Sequence, residues 1–232
     1  MIGDSDGLSR FASSPCLAGE VAPDHFGASG IDPEQARDVA RWRRAERTRL
    51  IGRREGLGQT GRAQLSVQIG LQLRKALTAR GVAPGTVLSG YWPIKGEPDL
   101  RVLMSDLHRI GVIIALPVVE TRAAPLIFRR WTPETRMVRG DWNIPVPPPN
   151  AAALTPDVTL APCLGWDERC YRLGWGGGYF DRTLATVTPR PFAFGIALAG
   201  ARLATIFPQP HDIPLDLIVT EDGISASRRP AS

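Results

Sequence analysis

The spacing of hydrophobic and polar residues predicts two long helices followed by a series of short strands. Asp32-Pro33-Glu34 has the composition of a helix start: an N-cap residue, a proline at the first helical position and an early acidic residue. We expect this helix to run to about Arg54, and a second helix to cover 59–79 and end at Gly81. Apolar runs of strand length then recur at 86–91, 112–117, 126–131, 158–161, 192–197 and 217–220.

A helical pattern separates the first two strand-like runs. Within 99–110, apolar residues recur on one helix face at Leu100, Leu103, Met104, Leu107 and Ile110. This β-α-β order is typical of an open sheet whose faces are covered by helices. We therefore predict a single three-layer, Rossmann-like α/β domain over residues 32–226, with a mostly parallel sheet and helices on both faces.

The two ends of the chain and one internal segment differ from this pattern. Residues 1–31 are rich in Gly, Ser, Ala and Pro and show no periodicity, which predicts a disordered or loosely attached extension. Residues 227–232 are expected to form a flexible tail. The segment from Pro145 to Pro149 is expected to be a proline-rich connector, because proline is not tolerated inside helices.

Composition narrows the class of protein. Hydrophobic residues make up 43% of the 232 residues, which is enough for one α/β core. Cys16, Cys163 and Cys170 form no CxxC pair, so a disulfide framework or a zinc site is disfavoured. The chain has no apolar run of about 18 residues and its first residues lack the pattern of a secretory signal. We therefore expect a cytoplasmic protein without a membrane partner.

The net charge of +5 is unevenly distributed. Residues 1–36 contain six acidic residues and one arginine, so the positive charge lies in the rest of the chain, almost entirely as arginine. Such a domain attracts nucleic acid, but it attracts ATP or another anionic substrate equally. Arg43 and Arg47 are one helical turn apart and can bind the phosphate oxygens of one nucleotide together. A solvated basic helix and an RNA-binding helix remain the alternatives.

A glycine-rich loop is the strongest chemical signal in the sequence. It reads Arg172-Leu173-Gly174-Trp175-Gly176-Gly177-Gly178-Tyr179-Phe180-Asp181-Arg182. Glycines allow positive φ and close approach of the backbone, so successive amides can converge on an anion. A helix over 179–187 would direct its N-terminus to the same anion. We predict a phosphate-binding loop in which Asp181 can be a ligand for Mg²⁺.

Three other loops carry candidate binding residues. Glu97 lies in a loop that follows the first strand and suits a flat, hydrogen-bonding heterocycle, although a βα turn with an acidic N-cap is the alternative. Trp142 can stack on a ring, but a covering position over the core is the alternative. Asp212, in Pro210-His211-Asp212, offers a second carboxylate, with a turn cap as the alternative.

Together these loops resemble the 5-formyltetrahydrofolate cyclo-ligase family over roughly residues 37–222. The matching segments, in collinear order, are Arg43…Arg47, Tyr91-Trp-Pro…Gly96-Glu97-Pro-Asp99, Ala115-Leu-Pro-Val-Val119, Asp141-Trp-Asn-Ile-Pro-Val-Pro147, Tyr171 to Arg182 and Pro210-His-Asp-Ile-Pro-Leu-Asp216. The glycine-rich loop is the most specific of them. The chain departs from the family where tyrosine is common, at Trp175 and Phe180, and also at Leu100, Cys170 and Ala201.

The resemblance implies an ATP- and Mg²⁺-dependent enzyme. Its reaction would convert 5-formyltetrahydrofolate to 5,10-methenyltetrahydrofolate and release ADP and phosphate, through phosphorylation of the formyl oxygen and ring closure by N10. The expected partner is the small folate substrate, with no nucleic acid, and the expected state is a monomer.

The resemblance also implies a role for individual residues. The implied catalytic residues are Arg172 and Asp181, and the implied magnesium ligands are Asp181 and Asp212. Implied folate contacts are Glu97, Trp142, Trp175, Gly177 and Tyr179. Implied nucleotide contacts are Arg43, Arg44, Arg47, Arg172, Gly174, Trp175, Gly176, Gly177, Gly178, Tyr179 and Phe180.

Overall fold

The computed structural model describes residues 32–228, and the predictions for 1–31 and 229–232 lie outside this range. The helices are α1 (Pro33–Gly56), α2 (Gly58–Ala79), α3 (Arg101–Arg109) and α4 (Tyr179–Thr186). The strands are β1 (Val87–Ser89), β2 (Ile113–Val118), β3 (Ile127–Trp131), β4 (Val138–Arg139), β5 (Pro145–Val146), β6 (Ala153–Leu154), β7 (Val158–Pro162), β8 (Gly165–Trp166), β9 (Arg172–Leu173), β10 (Phe192–Ile196), β11 (Leu217–Thr220) and β12 (Gly223–Ser227).

The four predicted helices are confirmed. α1 begins as expected: the Asp32 side chain accepts a hydrogen bond from the Glu34 amide at 2.9 Å, and Pro33 occupies the first turn. α2 follows after Leu57 alone, so the two long helices are joined by a sharp turn. Within residues 32–228, no helix is long and apolar enough to cross a bilayer.

The main sheet has eight strands in the order β12-β11-β10-β7-β1-β2-β3-β6. Its five central strands, from β11 to β2, are parallel, and the pairs at both edges are antiparallel. The predicted α/β domain with a mostly parallel sheet is therefore confirmed. In such sheets ligands bind outside the carboxyl ends of the strands. We therefore expect a binding site at the loops after β1, β2 and β7.

Helices cover both faces of the sheet because strand residues alternate between two cores. Leu88, Leu160, Phe194 and Val219 pack with α2 and α3 on one face. Ala161, Ala193, Ala197 and Ile218 pack with Leu50 of α1 and Leu184 of α4 on the other. α1 and α4 therefore cover this second face.

Several strands were not predicted. β4 to β6, β8 and β9 have two residues each, too few to show a period of two. Pro145 and Val146 pair with β4, so part of the expected proline-rich connector is a strand. β12 pairs antiparallel with β11 and ends at Ser227, the first residue of the expected tail.

Candidate active site

A cavity of about 980 Å³ opens at the carboxyl ends of the central strands. It is lined by the loop after β1, the end of β2, the end of β7, the 3₁₀ turn Asp141–Asn143, the glycine-rich loop and part of α1. The predicted site residues that line it are Arg43, Arg47, Glu97, Trp142, Arg172, Gly174, Trp175, Gly176, Gly177, Gly178, Tyr179, Phe180, Asp181 and Asp212. Arg44 does not line it and lies on the exposed side of α1.

The glycine-rich loop is held between a short hairpin and α4. β8 and β9 pair antiparallel directly before the loop, and Gly178 is the N-cap of α4 with a φ of 63°. Gly176 has a φ of 107°, which side chains rarely adopt. A Cβ on Gly174 would lie 2.5 Å from the Arg172 guanidinium, and one on Gly177 would lie 2.8 Å from the Tyr179 ring. Gly176 and Gly178 therefore have backbone conformations that favour glycine, and a side chain at Gly174 or Gly177 would displace Arg172 or Tyr179.

Arginines from α1 and β9 surround this loop. Arg47 Nε donates to the carbonyl oxygen of Gly174 at 2.8 Å, and Arg172 Nη2 donates to Asp181 Oδ2 at 2.7 Å. Arg43 donates through Nη1 and Nη2 to the two carboxylate oxygens of Asp212, at 3.2 and 2.5 Å. Because Arg43 and Arg172 are nearly buried in these pairs, the solvated-helix alternative does not hold for Arg43.

The two implied metal ligands lie on one wall of the cavity. Asp181 Oδ1 accepts the amide of Ile213, the residue after Asp212, at 3.1 Å. Within residues 32–228, no cluster of three or more His, Cys, Asp or Glu side chains is arranged to hold a metal alone. One or two carboxylates together with nucleotide phosphates and waters are, however, a usual environment for Mg²⁺. The donor set of Asp181 and Asp212 fits that kind of site.

Glu97 is a buried carboxylate that contacts the glycine-rich loop through Trp175. It is 7% exposed, and its oxygens accept the indole Nε1 of Trp175 at 2.8 Å and the amide of Ile94 at 3.0 Å. Burial raises the pKa of Glu97 to about 7, against the hydrogen bonds and the charge of Arg54, which lower it. This carboxyl group can therefore exist in either protonation state near neutral pH.

Aromatic side chains form the remaining surface around Glu97. Trp142 is 42% exposed, has a φ of 52°, and meets the Tyr179 ring edge to face with centroids 5.7 Å apart. Lys95 Nζ lies 5.1 Å from the centre of the Trp175 ring. Trp142 is exposed and lines the cavity, so the alternative position over the core does not hold for it.

Some residues of the site were not predicted from the sequence. Lys95, Arg139, Asn143 and His211 line the cavity, and only their position beside predicted loops pointed to them. Arg54 does not line the cavity, but it is buried and its stem packs against Gly96, next to Glu97. Its spacing of four residues from the buried Leu50 was the available signal.

Comparison with known proteins agrees with this geometry. The profile of the 5-formyltetrahydrofolate cyclo-ligase family matches residues 39–221. A 5-formyltetrahydrofolate cyclo-ligase of Mycolicibacterium smegmatis is 30% identical over 168 residues, which are 66% of this chain and 86% of that protein. One from Haemophilus influenzae is 29% identical over 136 residues, 56% of this chain and 73% of that protein.

Solved structures give the same result. The Aquifex aeolicus 5,10-methenyltetrahydrofolate synthetase is 26% identical and superimposes with a TM-score of 0.69, covering 82% of this chain and 94% of that one. The Mycoplasma pneumoniae synthetase, at 23% identity and a TM-score of 0.62, shares the fold. The profile match covers most of the described domain and includes every loop that lines the cavity. The chain therefore belongs to the 5-formyltetrahydrofolate cyclo-ligase family.

Proposed function

We propose that this protein is an ATP-dependent enzyme that converts 5-formyltetrahydrofolate to 5,10-methenyltetrahydrofolate, with release of ADP and phosphate. One observation carries the proposal: a single cavity is lined both by a glycine-rich loop with arginines and by a buried carboxylate with aromatic rings. The first set suits polyphosphate and the second suits a pterin-like heterocycle. Family membership supports the same reaction.

The nucleotide end of the cavity is formed by the glycine-rich loop, Arg43, Arg47 and Arg172. Guanidinium groups bind phosphate oxygens through paired donors, and the backbone amides of the loop add further donors. Asp181 and Asp212 would hold Mg²⁺ here, and the ion would neutralise charge on the phosphates. Arg44 is exposed outside the cavity, so a direct nucleotide contact is not proposed for it.

The folate end is formed by Glu97, Trp142, Trp175 and Tyr179. Each carboxylate oxygen of Glu97 accepts one protein hydrogen bond and retains a free acceptor position, so the group can also accept N–H donors of a pterin ring. The exposed Trp142 ring and the Tyr179 ring offer surfaces on which the rest of the substrate can stack.

The reaction proposed for this arrangement needs positioning more than a protein nucleophile. The formyl oxygen attacks the γ-phosphorus, the bond to the ADP oxygen breaks, and the formyl carbon becomes an activated imino-phosphate. N10 then attacks that carbon and loses its proton, and the C–O bond breaks as phosphate leaves. Arg172 and the loop amides would stabilise the transferred phosphoryl group, while Glu97 and the aromatic rings hold N5 and N10 in place.

A direct assay tests the proposal. Purified protein mixed with 5-formyltetrahydrofolate and Mg-ATP should produce the methenyl chromophore together with one ADP for each product formed. Omission of ATP should abolish the signal. Absence of product at high enzyme concentration, with both ligands present, would disprove the proposed activity.

A further inference from the structure

Arg54 is a buried arginine that no step of the proposed reaction uses. It lies in the last turn of α1, is 3% exposed, and donates through Nη2 to the carbonyl oxygen of Cys163 at 2.8 Å. Its Nη1 is buried without a hydrogen-bond partner. Arginine keeps its charge in proteins, and a buried charge is costly unless another charge compensates it. The environment of Arg54 should therefore contain such a group.

The stem of Arg54 supports the loop that carries Glu97. A Cβ built on Gly96 would lie 3.4 Å from both Cγ and Cδ of Arg54, so these methylenes pack directly against the backbone of Gly96. Gly96 has a φ of 74°, which keeps the turn tight at this point. Because Cys163 follows β7, Arg54 connects α1, the end of β7 and the loop after β1.

Glu97 is the acidic group whose charge can compensate the buried charge of Arg54. Both hydrogen bonds of Glu97 come from neutral donors, the indole of Trp175 and the backbone amide of Ile94. The charge of Arg54 acts on Glu97 through space and favours the ionised carboxylate, while burial favours the neutral acid. Conversely, Glu97 favours the charged form of Arg54.

We propose that Arg54 is a positioning residue for the folate end of the cavity. Its guanidinium favours the ionised form of Glu97, and its stem packs against Gly96 in the same loop, which keeps Glu97 bonded to Trp175. Arg54 itself touches neither substrate. The assignment of the folate end rests on the proposed function, but the charge relation between Arg54 and Glu97 does not.

Arg54 is the cation whose charge favours ionised Glu97, and the other charged or titratable groups nearby differ from it. Arg62 also packs its stem against Gly96, but its Nη1 donates to the carbonyl oxygen of Glu55 at 3.2 Å. Tyr91 and Cys163 are buried; burial raises the pKa of Cys163 to about 12 and that of Tyr91 well above its usual value, so both are neutral at pH 7. Asp99 belongs to the same loop and is paired with Arg101. Lys95 is exposed and lies over the outer Trp175 ring.

The test measures the ionisation of Glu97 in the ligand-free protein. The side-chain carboxyl carbons of glutamate are labelled with ¹³C and followed by NMR between pH 5 and 9, and Glu97→Gln identifies the signal of Glu97. We expect a midpoint near 7 in the wild type and an increase of about one pH unit or more in Arg54→Met. Arg54→Lys, which keeps the charge, should stay closer to the wild type.

Arg53→Met is the matched control, because Arg53 lies beside Arg54 on α1, is exposed, and also donates to a backbone carbonyl, that of Gly200. It should leave the midpoint unchanged. If Arg54→Met does not fold, Arg54→Gln removes the same charge and retains a donor for the Cys163 carbonyl. An unchanged midpoint in a folded, charge-removing variant would overturn the proposal.

A kinetic measurement separates this role from a purely structural one. If the ionised form of Glu97 binds folate, a shift of one unit lowers kcat/KM for folate in Arg54→Met about tenfold at pH 6 and by almost nothing above pH 9. The KM for ATP should not change. An equal loss at every pH would indicate a structural role only. If the wild type forms no methenyl product, the proposed function fails, whereas the NMR titration still tests Arg54.

Discussion

At the scale of single residues, arginine and aspartate side chains that line the cavity are paired with one another. Arg43 is paired with Asp212 and Arg172 with Asp181, and all four side chains are largely buried. A phosphate group that binds the arginines must share them with these carboxylates, and a cation that binds the carboxylates must share them with the arginines. The pairs therefore hold the segments that carry Asp181 and Asp212 against α1 and β9.

Asp181→Asn tests this dual role. We expect turnover with Mg-ATP to fall at least about 100-fold. The free energy of unfolding should also decrease, by about 2–4 kcal/mol, because Arg172 would remain buried without its partner. Steady-state kinetics and chemical denaturation measure the two effects. Near-normal turnover would refute the metal and catalytic assignments.

The matched control is Asp106→Asn. Asp106 pairs with Arg74 at 2.6 Å on the outer side of α2 and α3, where both side chains are partly exposed. Loss of an exposed pair should cost less than about 1 kcal/mol and leave turnover unchanged. An equal loss of stability in both variants would mean that burial of the Arg172–Asp181 pair is energetically unimportant.

Glu97→Gln tests the energetic cost of the buried carboxyl group. Burial raises the pKa of Glu97 to about 7, so between about pH 4.5 and 7 the folded state holds a proton that the unfolded state has released. The stability of the wild type must then fall as pH rises through this range. The neutral amide removes this dependence, and we expect the variant to be more stable than the wild type by about 2–3 kcal/mol at pH 8.

The same variant should bind folate less well. The amide cannot supply a negative charge to N–H donors, so the KM for folate should increase far more than the KM for ATP. Denaturation at pH 5, 6.5 and 8 and initial-rate kinetics measure the two effects. Parallel stability profiles for the wild type and the variant would mean that Glu97 is ionised when buried, and a larger change in the KM for ATP would reverse the assignment of the two ends.

At the scale of elements, the hydrophobic pattern was sufficient for the helices and for six strands, β1, β2, β3, β7, β10 and β11. Strands of two residues, such as Pro145–Val146, show no period, and β12, with the sequence Gly-Ile-Ser-Ala-Ser, has too few apolar residues to be recognised. The glycine-rich loop was predictable because four glycines in five residues indicate, from the local sequence alone, a backbone conformation that other residues rarely adopt. The pairing of Arg43 with Asp212 was not, since the residues are 169 positions apart and only the fold brings them together.

Gly177→Ala tests whether the shape of that loop is needed. The new Cβ would lie 2.8 Å from two ring atoms of Tyr179, so the ring or the loop must move. We expect the affinities for nucleotide and folate both to fall at least about tenfold, because both ends contact this loop. Calorimetric titration with each ligand alone measures them.

Gly52→Ala is the control for this change. Gly52 lies inside α1 with nothing within 4 Å of an added Cβ. Alanine at a free helical position should stabilise the protein by about 0.5–1 kcal/mol and leave both affinities unchanged. Unchanged affinities in Gly177→Ala as well would show that the loop tolerates displacement of Tyr179.

At the scale of the whole molecule, the fold brings two binding surfaces together at one edge of the sheet. The loop after β1 supplies Glu97, the segment before α4 supplies the glycine-rich loop, and the connection between β10 and β11 supplies Asp212. α1 reaches these segments through Arg43, Arg47 and Arg54. The order of β-α-β units predicted that these loops lie at the carboxyl edge. It did not predict that α1, which precedes the sheet in the chain, lines the cavity through Arg43 and Arg47, because the contacts of α1 with these segments are distant in sequence.

If the cavity has two ends, both ligands must bind at the same time, and their effects on stability must add. A ligand present at 100 times its Kd stabilises the folded state by about 2.7 kcal/mol. We expect a non-hydrolysable ATP analogue with Mg²⁺ and 5-formyltetrahydrofolate, each at that level, to give about twice this value together. Thermal and chemical denaturation with one ligand, the other and both measure the increments. Arg47→Met should reduce only the nucleotide increment, and Arg44→Met, on the exposed side of the same helix, should reduce neither. A combined increment no larger than the greater single one would mean that the ligands compete for one position, and the reaction between them could not take place in this cavity.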